Sequence, residues 1–234
     1  MFAKIGNWFK NYWYYYKWPV IIGGAFVLII TICLVQCSTK EDYDLSILYT
    51  GPHVFSQGEK SDFNRALAQL MDDDVNKDGK KNVDIIDLTA YSDEQIREEI
   101  GTDSDEATLI KYASYTIDNV KGSFAQVASK GDVSICFLDE YWYNILLDSG
   151  HLVPLEEILG FKPEFLRDDY SAYISELKVY SLYGDSFGKL PEDTVICFRK
   201  MAVTSALTGR NEVNKTYEAS KRLLVNIFEL GGAQ

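Results

Sequence analysis

One stretch of the sequence constrains the fold more than any other: residues 18–37, WPVIIGGAFVLIITICLVQC, hold 20 positions without a charged side chain. A helix rises about 1.5 Å per residue, so this stretch spans roughly 30 Å, the thickness of the hydrocarbon core of a bilayer. We therefore predict a transmembrane signal-anchor helix over residues 18–37. Tryptophan and tyrosine favour the membrane–water boundary, and an aromatic belt of this kind lies at the start of the stretch: Trp8, Trp13, Tyr14, Tyr15, Tyr16 and Trp18.

The charges on either side of this stretch predict its orientation. Residues 1–37 carry three lysines and no acid, whereas residues 40–44 hold one lysine and three acids. By the positive-inside rule, residues 1–17 form a cytoplasmic flank and residues 38–234 an extracellular domain of a single-pass cell-membrane protein. Two alternatives stay open, namely a cleaved signal peptide and a lipoprotein signal that ends at Cys37.

The composition limits the classes of function. The whole chain has a formal charge of −12, and because residues 1–37 contribute +3, the remainder holds −15. Such an acidic surface repels phosphate backbones, which argues against a nucleic-acid partner. The cysteines form no CxxC motif and no cluster with histidine, so zinc binding is not predicted. Cys136 and Cys197 lie in strand-like stretches, where buried free thiols are favoured over a disulfide.

Alternating strand and helix patterns predict an α/β fold for the remainder of the chain. Strand patterns occur in DYDLSILYTGP, NVDIIDLTAY, DVSICFLD, KVYSLYG and TVICFRK. Helical patterns occur in SDFNRALAQLM, DEQIREEI, NVKGSFAQVASKG, EYWYNILLDSG and YEASKRLLVNIFELGG. We expect the first of these helices to be capped by Ser61 or Asp62, the second to have a Ser92–Gln95 capping box, and residues 101–118 to form a loop with a short helix. The predicted architecture is a single three-layer lobe with a mostly parallel sheet, preceded by one N-terminal transmembrane helix.

Residues 130–159, KGDVSICFLDEYWYNILLDSGHLVPLEEIL, resemble the extracellular solute-binding proteins of bacterial ABC importers. In that family a hydrophobic strand ends in an acidic residue, a helix ends in glycine, and a short L.PL segment follows. Residues 183–201 are similar to the family's crossover strand into its second lobe. Only 16 residues separate Lys200 from Tyr217, however, which is too few for such a lobe. The resemblance therefore implies a periplasmic-binding-like fold reduced to one lobe.

These observations predict a non-enzymatic, membrane-anchored module that contacts a membrane or envelope protein, or weakly binds a ligand. A one-lobe cleft leaves most of a ligand in solvent, whereas tight small-molecule sites bury about 70% or more of it. The alternative is a solute receptor associated with ABC transport, which would bind a sugar, a peptide or an ion tightly.

Three residues are the candidate ligand site: Asp139, Tyr141 and Trp142. They follow the carboxyl end of a predicted strand, which is where open α/β sheets bind ligands, and stacked rings there would suit a sugar or a peptide. The alternative is that one ring packs in the core and the other is exposed.

The sequence DVNKDGKKNVD, residues 74–84, is a candidate calcium loop. Calcium is bound by oxygens at alternating positions around a sharp glycine turn. The candidate ligands are the side chains of Asp74, Asn76 and Asp78, the carbonyl of Lys80, and Asp84 as a further ligand, with Asp72 or Asp73 in its place. Calcium would then clip a helix to a strand, and the alternative is a solvated acidic turn.

We predict no catalytic residues. GDSFG, residues 184–188, matches GxSxG, but a nucleophile elbow needs a strand before the serine, a helix after it and a later histidine. The only two histidines, His53 and His151, both precede it, and each is expected in an exposed loop.

Overall fold

The structure is a computed structural model that describes residues 2–38, 43–100, 112–130, 133–201 and 210–230. The chain divides into two compact units, Met1–Asp42 and Tyr43–Gln234. Most of the loop predicted at residues 101–118 falls on residues 101–111, which lie outside the described ranges.

The first unit contains one long helix, α1, Phe2–Ser38. Within it Trp13–Leu34, 22 residues with a mean hydropathy of 2.1, is long and apolar enough to cross a membrane, and none of it is buried. The hydroxyl of Thr31 donates to the carbonyl of Val27 at 2.8 Å, so this polar group is satisfied within the apolar helix. An N-terminal apolar helix is thus confirmed, and it is compatible with a membrane anchor or with a signal peptide.

The second unit is an α/β unit built on one five-stranded mixed sheet with the strand order β2-β1-β3-β5-β4. Its strands are β1 Leu45–Gly51, β2 Val83–Thr89, β3 Ile135–Leu138, β4 Ser171–Tyr173 and β5 Val195–Phe198. The strands β1, β2 and β3 are parallel, whereas β5 is antiparallel to both of its neighbours. The α/β class is therefore confirmed, with a parallel core and a reversed strand on one side.

Helices lie between these strands along the chain, and a further helix follows the last strand. They are α2 Gln57–Leu70, α3 Asp93–Ile100, α4 Ile117–Lys130, α5 Glu140–Asp148, α6 Leu155–Leu159, α7 Lys178–Leu182 and α8 Arg210–Glu229, with short 3-10 helices at Ile174–Glu176 and Phe187–Lys189.

Two local expectations are wrong. The helix α2 begins one turn before the predicted cap, because Ser56 and Glu59 form a capping box in which each side chain accepts the other's backbone amide, at 3.2 and 2.7 Å. The segment KVYSLYG is a helix instead of a strand, and the amide of Tyr183 donates to the carbonyl of Val179 at 2.9 Å. Its β-branched and aromatic residues favour a strand only weakly, and tertiary packing overrides that preference.

Alternate residues of β1 enter two apolar clusters. Ile47 and Tyr49 belong to a cluster that includes residues of α2, α6 and α8. Leu48 belongs to a second cluster with residues of α4 and α5. This alternation follows from the two-residue period of a strand, and a sheet with apolar residues on both faces needs cover on both.

Candidate functional site

The carboxyl ends of β1 and β3 form the candidate ligand edge. The chain passes from β1 to β2 on one side and then returns to β3 on the other side of β1. Open α/β sheets bind ligands outside the strand ends at such a reversal of strand order. Here Gly51 ends β1, and Asp139 directly follows β3. The two ends are joined because the amide of Asp139 donates to the carbonyl of Thr50 at 2.9 Å.

Asp139 caps helix α5. Its carboxylate accepts the backbone amides of Tyr141 at 2.9 Å and Trp142 at 3.3 Å. Burial raises the pKa of Asp139 above its usual range, and the nearby charges of Asp193 and Glu140 raise it further, although the two amide hydrogen bonds act in the opposite direction. The residue therefore carries a partly desolvated carboxylate at the edge of the sheet.

The two aromatic residues of the candidate ligand site, Tyr141 and Trp142, lie in different environments. Trp142 is 1% exposed, and its ring centroid lies 4.6 Å from that of Phe124 in the second apolar cluster. Tyr141 is 38% exposed, with the ammonium of Lys121 at 5.9 Å from its ring centroid. Of the three candidate ligand residues, Asp139 and Tyr141 thus lie at the accessible edge, whereas the Trp142 ring is core.

His53 belongs to the same edge and was not predicted there. Its backbone amide donates to the hydroxyl of Tyr49 at 2.9 Å, and its ring lies 4.7 Å from that of Phe55, so the residue is half-buried instead of exposed. Burial lowers the pKa of His53, and Lys189 lowers it further against the opposing charge of Glu59. The only sequence signal for this position was its closeness to the end of the first strand. His151 is exposed, as expected.

Among the residues that the structure describes, the edge also holds polar atoms without hydrogen-bond partners. They include Thr50 Oγ1 and His53 Nε2, both buried, and the latter lies 3.8 Å from the Glu59 carboxylate. Gly51 lets the Tyr49 hydroxyl approach the backbone closely at this edge. A Cβ on residue 51 would lie 2.8 Å from that hydroxyl, so a side chain there would displace it. Buried polar groups normally find partners, so these two atoms are unusual, but Thr50 is 0% exposed and only the half-buried side chain of His53 is open to solvent.

Ser186 in GDSFG has no elbow geometry. It is buried, follows α7 instead of a strand, and its hydroxyl donates to the carbonyl of Tyr183 at 3.1 Å.

The candidate calcium loop lies at the opposite, amino edge of β1 and β2. Asp74 accepts the amides of Lys77 and Gly79 at 2.6 and 2.7 Å, while Asn76 and Asp78 accept amides two residues further on, those of Asp78 and Lys80, at 2.9 and 2.8 Å. Lys77 and Gly79 have φ values of +63° and +88°, so the turn needs the left-handed conformation that glycine favours. Each carboxylate or amide oxygen can accept a second bond, so the three side chains keep capacity for a cation.

Other predicted members of that site are placed elsewhere. Asp72 accepts from Asn226 at 3.0 Å and Asp73 pairs with Arg222 at 2.9 Å, so both hold helix α8. Asp84 lies within β2, where burial raises its pKa. In the described ranges, no three or more His, Cys, Asp or Glu side chains form a group that could hold a metal ion.

A buried carboxylate fastens this loop to the sheet. Asp44, 4% exposed, accepts the amides of Val75, Asn76 and Asn82 at 2.7, 2.9 and 2.9 Å. Two clefts of about 360 and 440 Å³ flank the loop, and both are lined by Val75, Lys77 and Lys215. These volumes fall in the range of small-molecule sites, but the linings carry charges of both signs.

No protein-family model, curated protein or solved structure matches the chain. The resemblance of residues 130–159 to solute-binding proteins therefore stays a prediction that rests on the sequence pattern.

Proposed function

We propose that the chain is a single-pass membrane protein whose residues 38–234 form an extracellular, non-enzymatic module that contacts a partner protein or weakly binds a ligand. The observation that carries the proposal is the contrast between its two units. Trp13–Leu34 exposes all of its apolar side chains, whereas the α/β unit buries most of its own in two clusters. Burial of apolar surface stabilises by about 25 cal/mol per Å², so the exposed helix favours a lipid environment.

The charges support the proposed orientation. Three lysines precede the apolar segment, and the acidic α/β unit follows it. A lysine-rich flank favours the cytoplasmic side, which leaves the acidic unit outside.

The carboxyl edge of β1 and β3 is the proposed contact surface, in a three-layer lobe of solute-binding-like fold. The exposed ring of Tyr141 and the half-buried side chains of Asp139 and His53 support a role in recognition. Only nine residues, 201–209, separate β5 and its flanking Arg199–Lys200 from α8, so a second lobe is not inserted there. Contact with a protein surface therefore suits this edge better than enclosure of a small molecule.

Protease accessibility tests the anchor and its orientation. We expect the full chain in the membrane fraction after alkaline washing, and its α/β unit to be degraded by protease added to spheroplasts. Recovery in the soluble fraction without detergent, or protection of the C-terminal unit, would contradict the proposal.

Site-specific photo-crosslinking tests the contact surface. A photoreactive phenylalanine analogue at Tyr141, 38% exposed, should crosslink to a membrane or envelope protein in cells. The same analogue at Phe161, 44% exposed and outside the edge, is the matched control. Equal crosslinking at both positions would argue against a specific edge. Sub-micromolar binding of one sugar, peptide or ion by calorimetry would instead favour the transport-linked receptor.

We further propose that the loop at residues 74–80 binds calcium as a structural clip. Its alternating oxygens and left-handed turns support this. With a Kd of about 1 mM, 10 mM calcium would stabilise by about 1.4 kcal/mol, or roughly 3–6 °C in Tm. Asp74→Ala should abolish the shift, and Asp62→Ala, on the surface of α2, should retain it. An equal Tm with calcium and with magnesium would contradict specific binding.

A further inference from the structure

Two cysteines from distant parts of the chain meet in the sheet. Cys136 of β3 and Cys197 of β5 are direct partners in the antiparallel register, and both are fully buried free thiols. The sequence placed each in a strand but gave no sign that they oppose each other.

The register gives these residues a spacing that a disulfide accepts. Two positions along, the amide of Arg199 donates to the carbonyl of Ser134 at 2.8 Å, which makes that pair a hydrogen-bonded one. Pair types alternate in an antiparallel ladder, so Cys136 and Cys197 are also a hydrogen-bonded pair, with Cα atoms about 5.5 Å apart. Disulfides span Cα separations of about 4.4–6.8 Å.

A buried cation lies beside the pair. Arg199 is 1% exposed, and its guanidinium donates to the carbonyls of Val133, at 3.2 Å, and Ala128. Within the described residues its Nε has no hydrogen-bond partner, and no carboxylate there pairs with the guanidinium within 4.0 Å. A buried charge without a counter-ion is costly, so an anion next to Arg199 would be stabilised.

Cys136 is the neighbouring group that can become such an anion. Burial alone raises the pKa of Cys136, but a hydrogen bond from the Cys197 thiol and the adjacent Arg199 guanidinium together hold it below the ordinary value. The pKa of Cys197 is raised, chiefly by that same hydrogen bond and by burial. The two thiols are therefore unequal, with Cys136 as the more acidic one.

We propose that Cys136 and Cys197 are a reversible dithiol–disulfide pair, and that Arg199 sets its redox balance by stabilising the reduced form. The oxidant is a disulfide of low molecular weight. In the first step the Cys136 thiolate attacks one sulfur of the oxidant, forms a mixed disulfide and expels the first small thiolate. In the second step Cys197 gives its proton to that expelled thiolate, attacks the Cys136 sulfur and expels the second small thiolate. Two electrons pass to the oxidant, which is reduced to one thiol and one thiolate, and the reverse exchange restores the dithiol.

The bond would join the parallel strands to the reversed strand β5. Because both sulfurs are buried, exchange needs local opening of β5, and the closed sheet slows it in both directions. Arg199 favours the thiolate form of Cys136, a form that the disulfide lacks, so we expect the bond to be easier to reduce than a permanent structural disulfide. The oxidised state in cells rests on the extracellular location proposed above.

The test uses the full chain in detergent micelles, equilibrated with mixtures of reduced and oxidised glutathione from both directions. After acid quenching and alkylation in denaturant, mass spectrometry measures the fraction of Cys136 joined to Cys197. We expect one reversible transition between dithiol and disulfide. Arg199→Met should shift the balance toward the disulfide by about tenfold, the equivalent of one pKa unit of lost thiolate stabilisation. Arg199→Lys, which keeps the charge, should stay closer to the parent, and Cys33→Ala should leave the balance unchanged.

Absence of the Cys136–Cys197 linkage, or only glutathione adducts and links to Cys33 or Cys37, would overturn the inference whatever the topology of the chain. An unchanged balance in a folded Arg199→Met, checked by near-ultraviolet circular dichroism, would overturn the role of Arg199. If Arg199→Met does not fold, Arg199→Lys takes its place in the test. A folded Arg199→Lys whose balance moves about tenfold toward the disulfide, although the positive charge is kept, would overturn the role of Arg199. A pair that forms in vitro but stays reduced in cells would support this chemistry and contradict the extracellular location.

Discussion

Replacement of Asp44 tests how the loop between α2 and β2 is held. Its carboxylate accepts three backbone amides from that loop, two on Oδ1 from Val75 and Asn76 and one on Oδ2 from Asn82. In Asp44→Ala all three amides lose their acceptor inside a buried site. Asp44→Asn keeps Oδ1 but turns an amide group toward the Asn82 N–H, so that one bond becomes a contact between two donors.

The magnitudes follow from these contacts. Hydrogen bonds to a charged group contribute about 1.5–3 kcal/mol each when fully buried. Val75 and Asn82 are half-buried and Asn76 is exposed, so water recovers part of this, and about 1 kcal/mol for each amide is the expected loss. We expect Asp44→Ala to cost about 3 kcal/mol, or roughly 6–12 °C in Tm, and Asp44→Asn about half as much.

Thermal unfolding of the full chain in detergent, followed by near-ultraviolet circular dichroism, measures the loss. Hydrogen exchange adds local resolution, because the amides of residues 75, 76 and 82 should lose protection first. The control is Asp62→Ala, which removes an exposed ion pair with Arg65 and should change stability by less than about 0.5 kcal/mol. A loss below about 1 kcal/mol in Asp44→Ala, with those amides still protected, would refute the reasoning.

Asp139→Asn should keep the helix cap and remove a partly buried charge, whereas Asp139→Ala should lose the cap and with it about 1 kcal/mol of stability. Burial raises the pKa of Asp139, so its ionised carboxylate destabilises the fold once the pH exceeds that pKa. Asp139→Asn should therefore have a higher Tm than the parent near pH 7. This difference in Tm should vanish as the pH falls below about 4, where the carboxyl is protonated in the folded and unfolded states. Arg167→Lys should cost about 1 kcal/mol in urea unfolding, because the guanidinium lies 5.0 and 5.4 Å from the rings of Tyr143 and Tyr173; equal midpoints would contradict this stacking. Lys77→Gly should raise Tm slightly by relieving a left-handed φ of +63°, and a lower Tm would contradict it.

Much of the fold could be predicted because its signals are local. Apolar strand patterns located β1, β2, β3 and β5, and the Ser92–Gln95 box that begins α3 is present, with bonds of 2.8 and 3.1 Å. The direction of β5 could not be predicted, since a strand pattern has no polarity and its pairing with β3 joins residues about 60 positions apart. The strand β4, Ser171–Tyr173, is three residues long and too short for an alternating pattern.

The candidate site was only partly predictable for the same reason. Asp139 was found because it directly follows an apolar strand, which is a local signal. The burial of His53 depends on rings that pack only in the folded unit, and the partners of Asp44 lie 31–38 positions away. The pairing of Cys136 with Cys197 likewise depends on register, which sequence spacing alone does not give.

The position of β1 has a mechanical consequence. It is hydrogen-bonded on both sides, to β2 and β3, and its start and end lie at opposite edges of the sheet. A tether that pulls at Tyr43 while a partner holds the edge at Gly51 loads this strand along its own axis. Force in that direction must shear both ladders at once instead of peeling one bond after another, so β1 resists a pull along its axis better than an edge strand would.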